Sequence, residues 1–215
     1  MNSMAKRESG RILGVLVLLL LVAGVGVGAW YFLIYTKSPQ YALSQFFAAA
    51  QANDKDKVDR FTDKSGGIVG FLSTVAAMAP SMAGLDPVRM IYPGYGGSDL
   101  GQTQKVTINS VTVEGEVAKA QVTMEVARDG KTETIQPTYV LRKTEQGWKV
   151  AVQDTAFGSF NQFVPGALRQ STARMMRQAR ANPIAAQFLG QLQNLRSEID
   201  QYPQFRDFLK SAGVL

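Results

Sequence analysis

"EVAKAQVTMEVARDGKTETIQPTYVLRKTEQGWKVAVQD", Glu116 to Asp154, decides the fold, because apolar and polar residues alternate through it with a period of two. Successive side chains of a strand point to opposite faces. Ala118, Ala120, Val122, Met124 and Val126 therefore share one face, with Lys119, Gln121, Thr123 and Glu125 on the other. Asp129-Gly130 is a type I′ hairpin signal. The next strand carries Ile135, Tyr139 and Leu141 on its apolar side, and Pro137 within it implies an edge or a bulge. "TEQG" turns the chain again, and Trp148, Val150 and Val152 follow on the core side.

Upstream, "KVTINSVTV" sets Val106 and Ile108 out of phase with Val111 and Val113, which predicts a bulge near Asn109 and Ser110. Four antiparallel strands with one apolar face need helices to cover them. Ser38-Pro39 opens one such helix, with Ser as N-cap and Pro in the first turn. Tyr41, Ala42, Gln45, Phe46 and Ala49 follow at helical spacing, and a shorter helix carries Val58 and Phe61. Residues 65–85 hold no charge, and Ile68, Phe71, Val75, Met78, Met82 and Leu85 repeat at three and four until Pro80 interrupts. This stripe reads as a core-packing helix, a surface-seeking lid or a second membrane span. Residues 87–104, rich in Gly and Pro, read as loop.

From Ile12 to Tyr35 there are 24 residues without a charge, enough helix at about 1.5 Å per residue to cross a bilayer. A signal peptide is the competing reading, but its apolar run is shorter and ends at a small-residue cleavage site, whereas this one ends in "WYFLIY". Lys6, Arg7 and Arg11 before the span, against Lys37 after it, put the N-terminus in the cytoplasm and the domain outside. Gly24 and Gly28, like Gly10 and Gly14, are small-x-x-x-small pairs that allow close helix approach.

The chain lacks cysteine and histidine, which removes disulfides, thiolate and imidazole metal sites, and histidine-dependent triads. No cofactor and no nucleic acid partner is expected. Residues 38–157 carry 12 basic against 13 acidic side chains, while 158–215 carry 7 against 3. The tail's charge reads as favouring anionic headgroups or an acidic partner, or as a solvated helix face. Ala185, Phe188, Leu192, Leu195, Ile199 and Tyr202 form a short heptad seam there, suited to packing on its own domain or on a copy or partner.

The expected division is a cytoplasmic N-terminus at 1–11, a transmembrane helix at 12–35, an α+β domain at 38–157 and a helical extension at 158–215. Three stretches resemble the cystatin-like fold of the nuclear-transport-factor-two-like superfamily, in particular small membrane-anchored bacterial domains of unknown function. They are "SPQYALSQFFAAAQANDKDKVDRF" at 38–61, "VTINSVTVEGEVAKAQVTMEV" at 106–126 and "YVLRKTEQGWKVA" at 139–151. The superfamily's enzymes place a carboxylate in the cone between sheet and helices; here the inner positions are apolar, leaving Asp99 and Glu133 as rim candidates. The resemblance implies a bacterial inner-membrane location, with the domain periplasmic or extracellular. The absence of catalytic groups, the glycine pairs in the span and the apolar stripes of the tail point to a non-catalytic accessory or scaffold subunit among integral membrane or envelope proteins, self-association included. The alternative is a binding module whose cone, lined by Phe71, Val75, Met78, Tyr139 and Trp148, holds a lipid or other hydrophobic ligand. Gly24, Gly28, Phe188, Leu192, Leu195 and Ile199 are the candidate helix-association residues.

Overall fold

The computed structural model describes residues 35–78, 86–97, 100–179 and 190–215, with backbone alone at 75–78, 175 and 178–179. The expected span up to residue 34, with its glycine pairs, lies outside the described residues, as do Asp99, Ala185 and Phe188. No helix among the described residues is long and apolar enough to cross a membrane.

The fold is α+β, built on a mixed sheet. Its strands are β1 (Thr62–Asp63), β2 (Gln102–Glu114), β3 (Val117–Arg128), β4 (Lys131–Ile135), β5 (Thr138–Thr144) and β6 (Gly147–Ala151). The order is β1-β6-β5-β3-β2, with β4 also paired to β3. The expected four-strand antiparallel meander is present, and two features enlarge it. The short β1 pairs parallel to β6, and the strand expected at 131–143 is broken around Pro137 into β4 and β5, each paired to a different half of β3. Pro137 has no N–H for a ladder bond, so the chain steps sideways there, while its carbonyl still accepts from Val122 N at 3.1 Å. Asp129 and Gly130 take φ of 49° and 74°, as a type I′ turn requires.

Asn109 is the bulge in β2: Ile108 pairs with Val122 and Ser110 with Gln121, leaving Asn109 as the extra residue. Its side chain donates to Thr123 Oγ1 at 2.8 Å. Asn109 and Ser110 both turn outward, so Val111 and Val113 rejoin the face of Val106 and Ile108, opposite Ala120, Ala118, Met124 and Val122.

Helix α1 (Pro39–Gln51) crosses this inner face between β6 and β2, with Leu43, Phe46, Phe47 and Ala50 buried. The Ser38 hydroxyl caps it, accepting from Tyr41 N at 3.1 Å. Helix α2 (Lys55–Phe61), capped by Asp54, packs on α1. Helix α3 (Gly67–Met78) buries Ile68, Val69 and Leu72. The expected loop after residue 86 instead opens with a buried helix, α4 (Pro87–Ile91), whose Asp86 cap accepts from Val88 N at 2.9 Å. Val152 does not extend β6 but begins α5 (Val152–Gly158), followed by α6 (Phe160–Phe163).

Strand β6 is shorter than β5, so part of one β5 edge has no strand beside it. Helices α5 and α6 close that edge with side chains. Thr155 Oγ1 accepts from Val140 N at 3.0 Å, Ser159 Oγ accepts from Thr138 N at 3.0 Å, and each hydroxyl donates back to the carbonyl of the same residue. Gln162 continues the row, accepting from Gln136 N. Residues four and three apart on one helix face thus stand in for a missing strand.

The tail adds α7 (Gly166–Ala179), a helical turn at 190–194, α8 (Arg196–Ile199) and α9 (Pro203–Ser211). It is a layer of the same core: Leu192, Ile199, Leu209 and Val214 are buried with the residues of the sheet.

Candidate functional site

The place where a cone would open is filled by rings. Tyr139 is fully buried, edge-on to Phe47 at 5.0 Å and to Phe163 at 6.0 Å between centroids, with Phe46 tilted at 6.3 Å. Its hydroxyl donates to the Ile91 carbonyl and lies 3.5 Å from Met124 Sδ. Burial, with a smaller contribution from Tyr92, raises its pKa well above the ordinary phenol value. Tyr139 is therefore a neutral donor holding α4 to the sheet. Ala118, Ala120, Val122, Met124, Val126, Leu141 and Val150 around it are all buried and carry no titratable group.

Among the described side chains, Phe71, Tyr139 and Trp148 occupy three different places. Trp148 pairs with Lys143 at the far end of the ladder, half-buried, where a groove of about 370 Å³ runs between Tyr41, Phe61 and the Thr144–Gly147 turn. Strand parity assigns its face correctly but not its depth, since it lies two residues nearer the turn than the buried Val150. Phe71 is half-buried on α3, which packs against α4, α5 and α8. Glu133 is exposed and bound to Arg128 at 2.9 Å. The Arg128 side chain is only 9% exposed; its Nε donates to the Leu100 carbonyl at 2.6 Å and its Nη2 to the Phe163 carbonyl at 3.0 Å. Gly101, at φ +100°, lets the chain pass against this arginine, because a Cβ there would stand 2.5 Å from Arg128 Cγ.

Of the candidate association residues in the tail, Leu192 and Ile199 are buried within the domain and Leu195 is half-buried. The tail is fastened by packed rings, Phe157 tilted on Phe205 at 4.5 Å and Phe160 tilted on Phe208 at 5.1 Å. A polar network reinforces them. Tyr202 donates to Asp154 at 2.7 Å, Asp154 pairs with Arg142 at 2.7 Å, and Glu198 accepts from Gly67 N and from Gln153 Nε2 at 2.9 and 3.0 Å. Burial, and next the hydrogen bond to Asp154, push the Tyr202 phenol up to about 12.

The concave surface with a distinctive charge lies between α7 and α9. This groove, of about 660 Å³, is lined by Arg169, Arg174 and Arg177 above Ala173 and Phe208. Its acid, Asp207, already faces Arg206 at 3.4 Å. Arg169 Nη1 donates to Asn161 Oδ1, while its Nε is buried with no acceptor among the described residues. Arg177 Nη1 donates to the Ser211 carbonyl, and Arg174 has no bonded partner among the described residues. Helices α5 and α6 follow β5 from Val140 back to Gln136, away from the Thr144–Gly147 turn beside which Thr36 and Lys37 sit. The arginine groove is thus at the opposite end of the sheet from the point where the N-terminal segment enters. The basic excess of the tail was visible in the sequence; the hydroxyl row of Thr155 and Ser159 was there too, at helical spacing, but needs the neighbouring strand edge to give it meaning.

No family model matches the chain, and no curated protein is similar to it in sequence. Among solved structures, a Campylobacter jejuni protein provisionally named an NTF2-like transpeptidase is similar at 16% identity and a TM-score of 0.32, over 53% of this chain and 98% of its own. That likeness is too loose to carry an argument about chemistry. Helices on a bent meander agree with the cystatin-like order of parts on the topology of this chain alone.

Proposed function

We propose that the chain is a non-catalytic accessory or scaffold subunit of a membrane or envelope protein complex, anchored by one span at 12–35, with its N-terminus cytoplasmic and its domain outside. The observation that carries this reading is the arginine groove between α7 and α9, in which Arg174 has no bonded partner among the described residues and Arg169 Nε has no acceptor. The exposed guanidinium of Arg174 is accessible, so this groove suits carboxylates supplied by another protein. Its distance from the entry of the N-terminal segment favours a protein over the headgroups of the anchoring bilayer. The filled interior supports a non-catalytic role, since the buried titratable group at its centre is a phenol held neutral. Binding of a lipid in the cone would require Tyr139 and its three phenylalanine neighbours to move apart.

The test is crosslinking in cells, followed by purification and identification of the bound proteins, with the Arg174→Glu/Arg177→Glu variant in parallel. A specific membrane or envelope protein recovered with the native chain and lost with the variant is the expected result. A monomer that purifies with a stoichiometric lipid and no protein would sink the proposal.

A further inference from the structure

Among the described residues, one long edge of the sheet is left open. Beyond β6 lies β1, and the uncovered part of β5 is met by Thr155 and Ser159. Strand β2 is met by the Pro93 carbonyl at Thr103 and keeps an open edge from Lys105 to Glu114 among the described residues. Unpaired strand edges are templates for further strands, and proteins commonly blunt them with proline or with inward charges. From Lys105 to Glu114, "KVTINSVTVE", there is neither a proline nor a charge between the two ends. Val113 on the inner face is 51% exposed, and Val106, Ile108 and Val111 are partly exposed.

The stretch is also complementary to itself. Laid antiparallel against a copy, with Asn109 opposite Ser110, it sets Ile108 against valine, Thr107 against threonine, Val106 against valine and Lys105 against glutamate. In a regular strand this register would fail. Its centre lies between two residues, and strict alternation would give opposed residues opposite faces, contrary to antiparallel pairing about a two-fold axis perpendicular to the sheet. The bulge removes the conflict. Because Asn109 and Ser110 both point outward, Val106, Ile108, Val111 and Val113 all point inward, and each opposed pair shares a face. A bulge protects an edge from ordinary strands by twisting it, but a strand bearing the same bulge in the symmetric register matches that twist.

The terminal charges agree. Lys105 reaches Glu125 at 3.4 Å and Glu114 reaches Lys119 at 3.7 Å, all four side chains being well exposed. Each is free to engage a second opposite charge across the edge. Val106 and Ile108 also line a groove of about 520 Å³ between α1 and β2, with Phe47 and Tyr92, at whose mouth an added strand would lay an apolar side chain.

We propose that β2 is a homotypic interface: two copies of this chain join antiparallel through 105–114 about a two-fold axis at Asn109/Ser110, forming one continuous sheet. The pairing does not depend on the scaffold reading, since it would serve a ligand-binding protein equally well. The chain has no native cysteine, so the register can be read by crosslinking the full-length protein in detergent micelles. In the proposed register Val106 of one copy faces Val113 of the partner subunit, while Val113 and Val113 of the partner subunit stand six strand steps apart once the bulge is allowed for, roughly 20 Å. A mixture of Val106→Cys and Val113→Cys proteins is expected to form an intermolecular disulfide under mild oxidation, at least about fivefold more than either variant alone. No disulfide in the mixture, or equal crosslinking by each variant alone, overturns the proposal. As a second arm, Ser110→Lys changes a residue exposed in the monomer and sets like charges at the axis. A native dimer that becomes monomeric with unchanged circular dichroism is expected; a variant that stays dimeric overturns the assignment of the interface to β2.

Discussion

At the residue scale, Tyr139 and Tyr202 separate two roles of a phenol. Tyr139→Phe keeps the ring contacts and leaves the buried Ile91 carbonyl without its donor. A loss of about 1–3 kcal/mol in urea denaturation is expected, with the far-ultraviolet spectrum unchanged. Tyr202 binds its proton more tightly folded than unfolded, with its pKa pushed up to about 12 from an ordinary 10. Its contribution to stability is therefore fully present below pH 10 and is lost as pH rises toward 12. The denaturation midpoint of the native protein should fall across that window, and Tyr202→Phe should lessen the fall. An equal slope in both proteins would show that the Tyr202 proton does not couple to folding.

At the element scale, the bulge in β2 keeps both halves of a long strand on one core. Deleting Asn109 would turn Val111 and Val113 to the solvent face, costing about 1–2 kcal/mol of their burial. Amides of residues 110–114 should then exchange with deuterium about tenfold faster, while those of β5 and β6 keep their protection. This bulge was legible because the valine phase slips by one residue in a short strand. The alternation of β3 and the Asp129-Gly130 turn were legible for the same reason: the physics is local. Helix α4 was not. It has the same Asp/Ser-Pro start as α1, but five residues are too few for a period to show amid glycines. Val152 also misled, since a β-branched residue at the next inward position continues a strand pattern until a hydroxyl row beyond it finds an edge to cover. The positions of Phe71 and Trp148 depend on which helix lies over which end of the sheet, a tertiary fact that no spacing encodes.

At the scale of the whole molecule, the division at 157/158 passes through one ring cluster, because Phe157 and Phe160 both pack on Phe205. Cutting the chain after Phe163 would leave both rings in water. The truncated protein is expected to lose cooperative thermal unfolding and to bind a hydrophobic dye, which calorimetry and fluorescence would report. In contrast, Arg174→Glu alone changes an exposed side chain with no bonded partner among the described residues, so its melting temperature should stay within about 2 °C of native, the size expected for surface changes.

Arg128 joins chain segments far apart in order: the carbonyls of Leu100 and Phe163 and the carboxylate of Glu133 meet on one guanidinium. Loops of this length close late, after local hairpins and helices have formed. The guanidinium therefore acts as a bolt shot after the door has closed, absent from the rate-limiting barrier and present in the finished fold. Arg128→Lys, which cannot span all three acceptors, should leave the refolding rate nearly unchanged and speed unfolding about tenfold or more. The time the native state survives, rather than the time it takes to form, is what this one side chain governs.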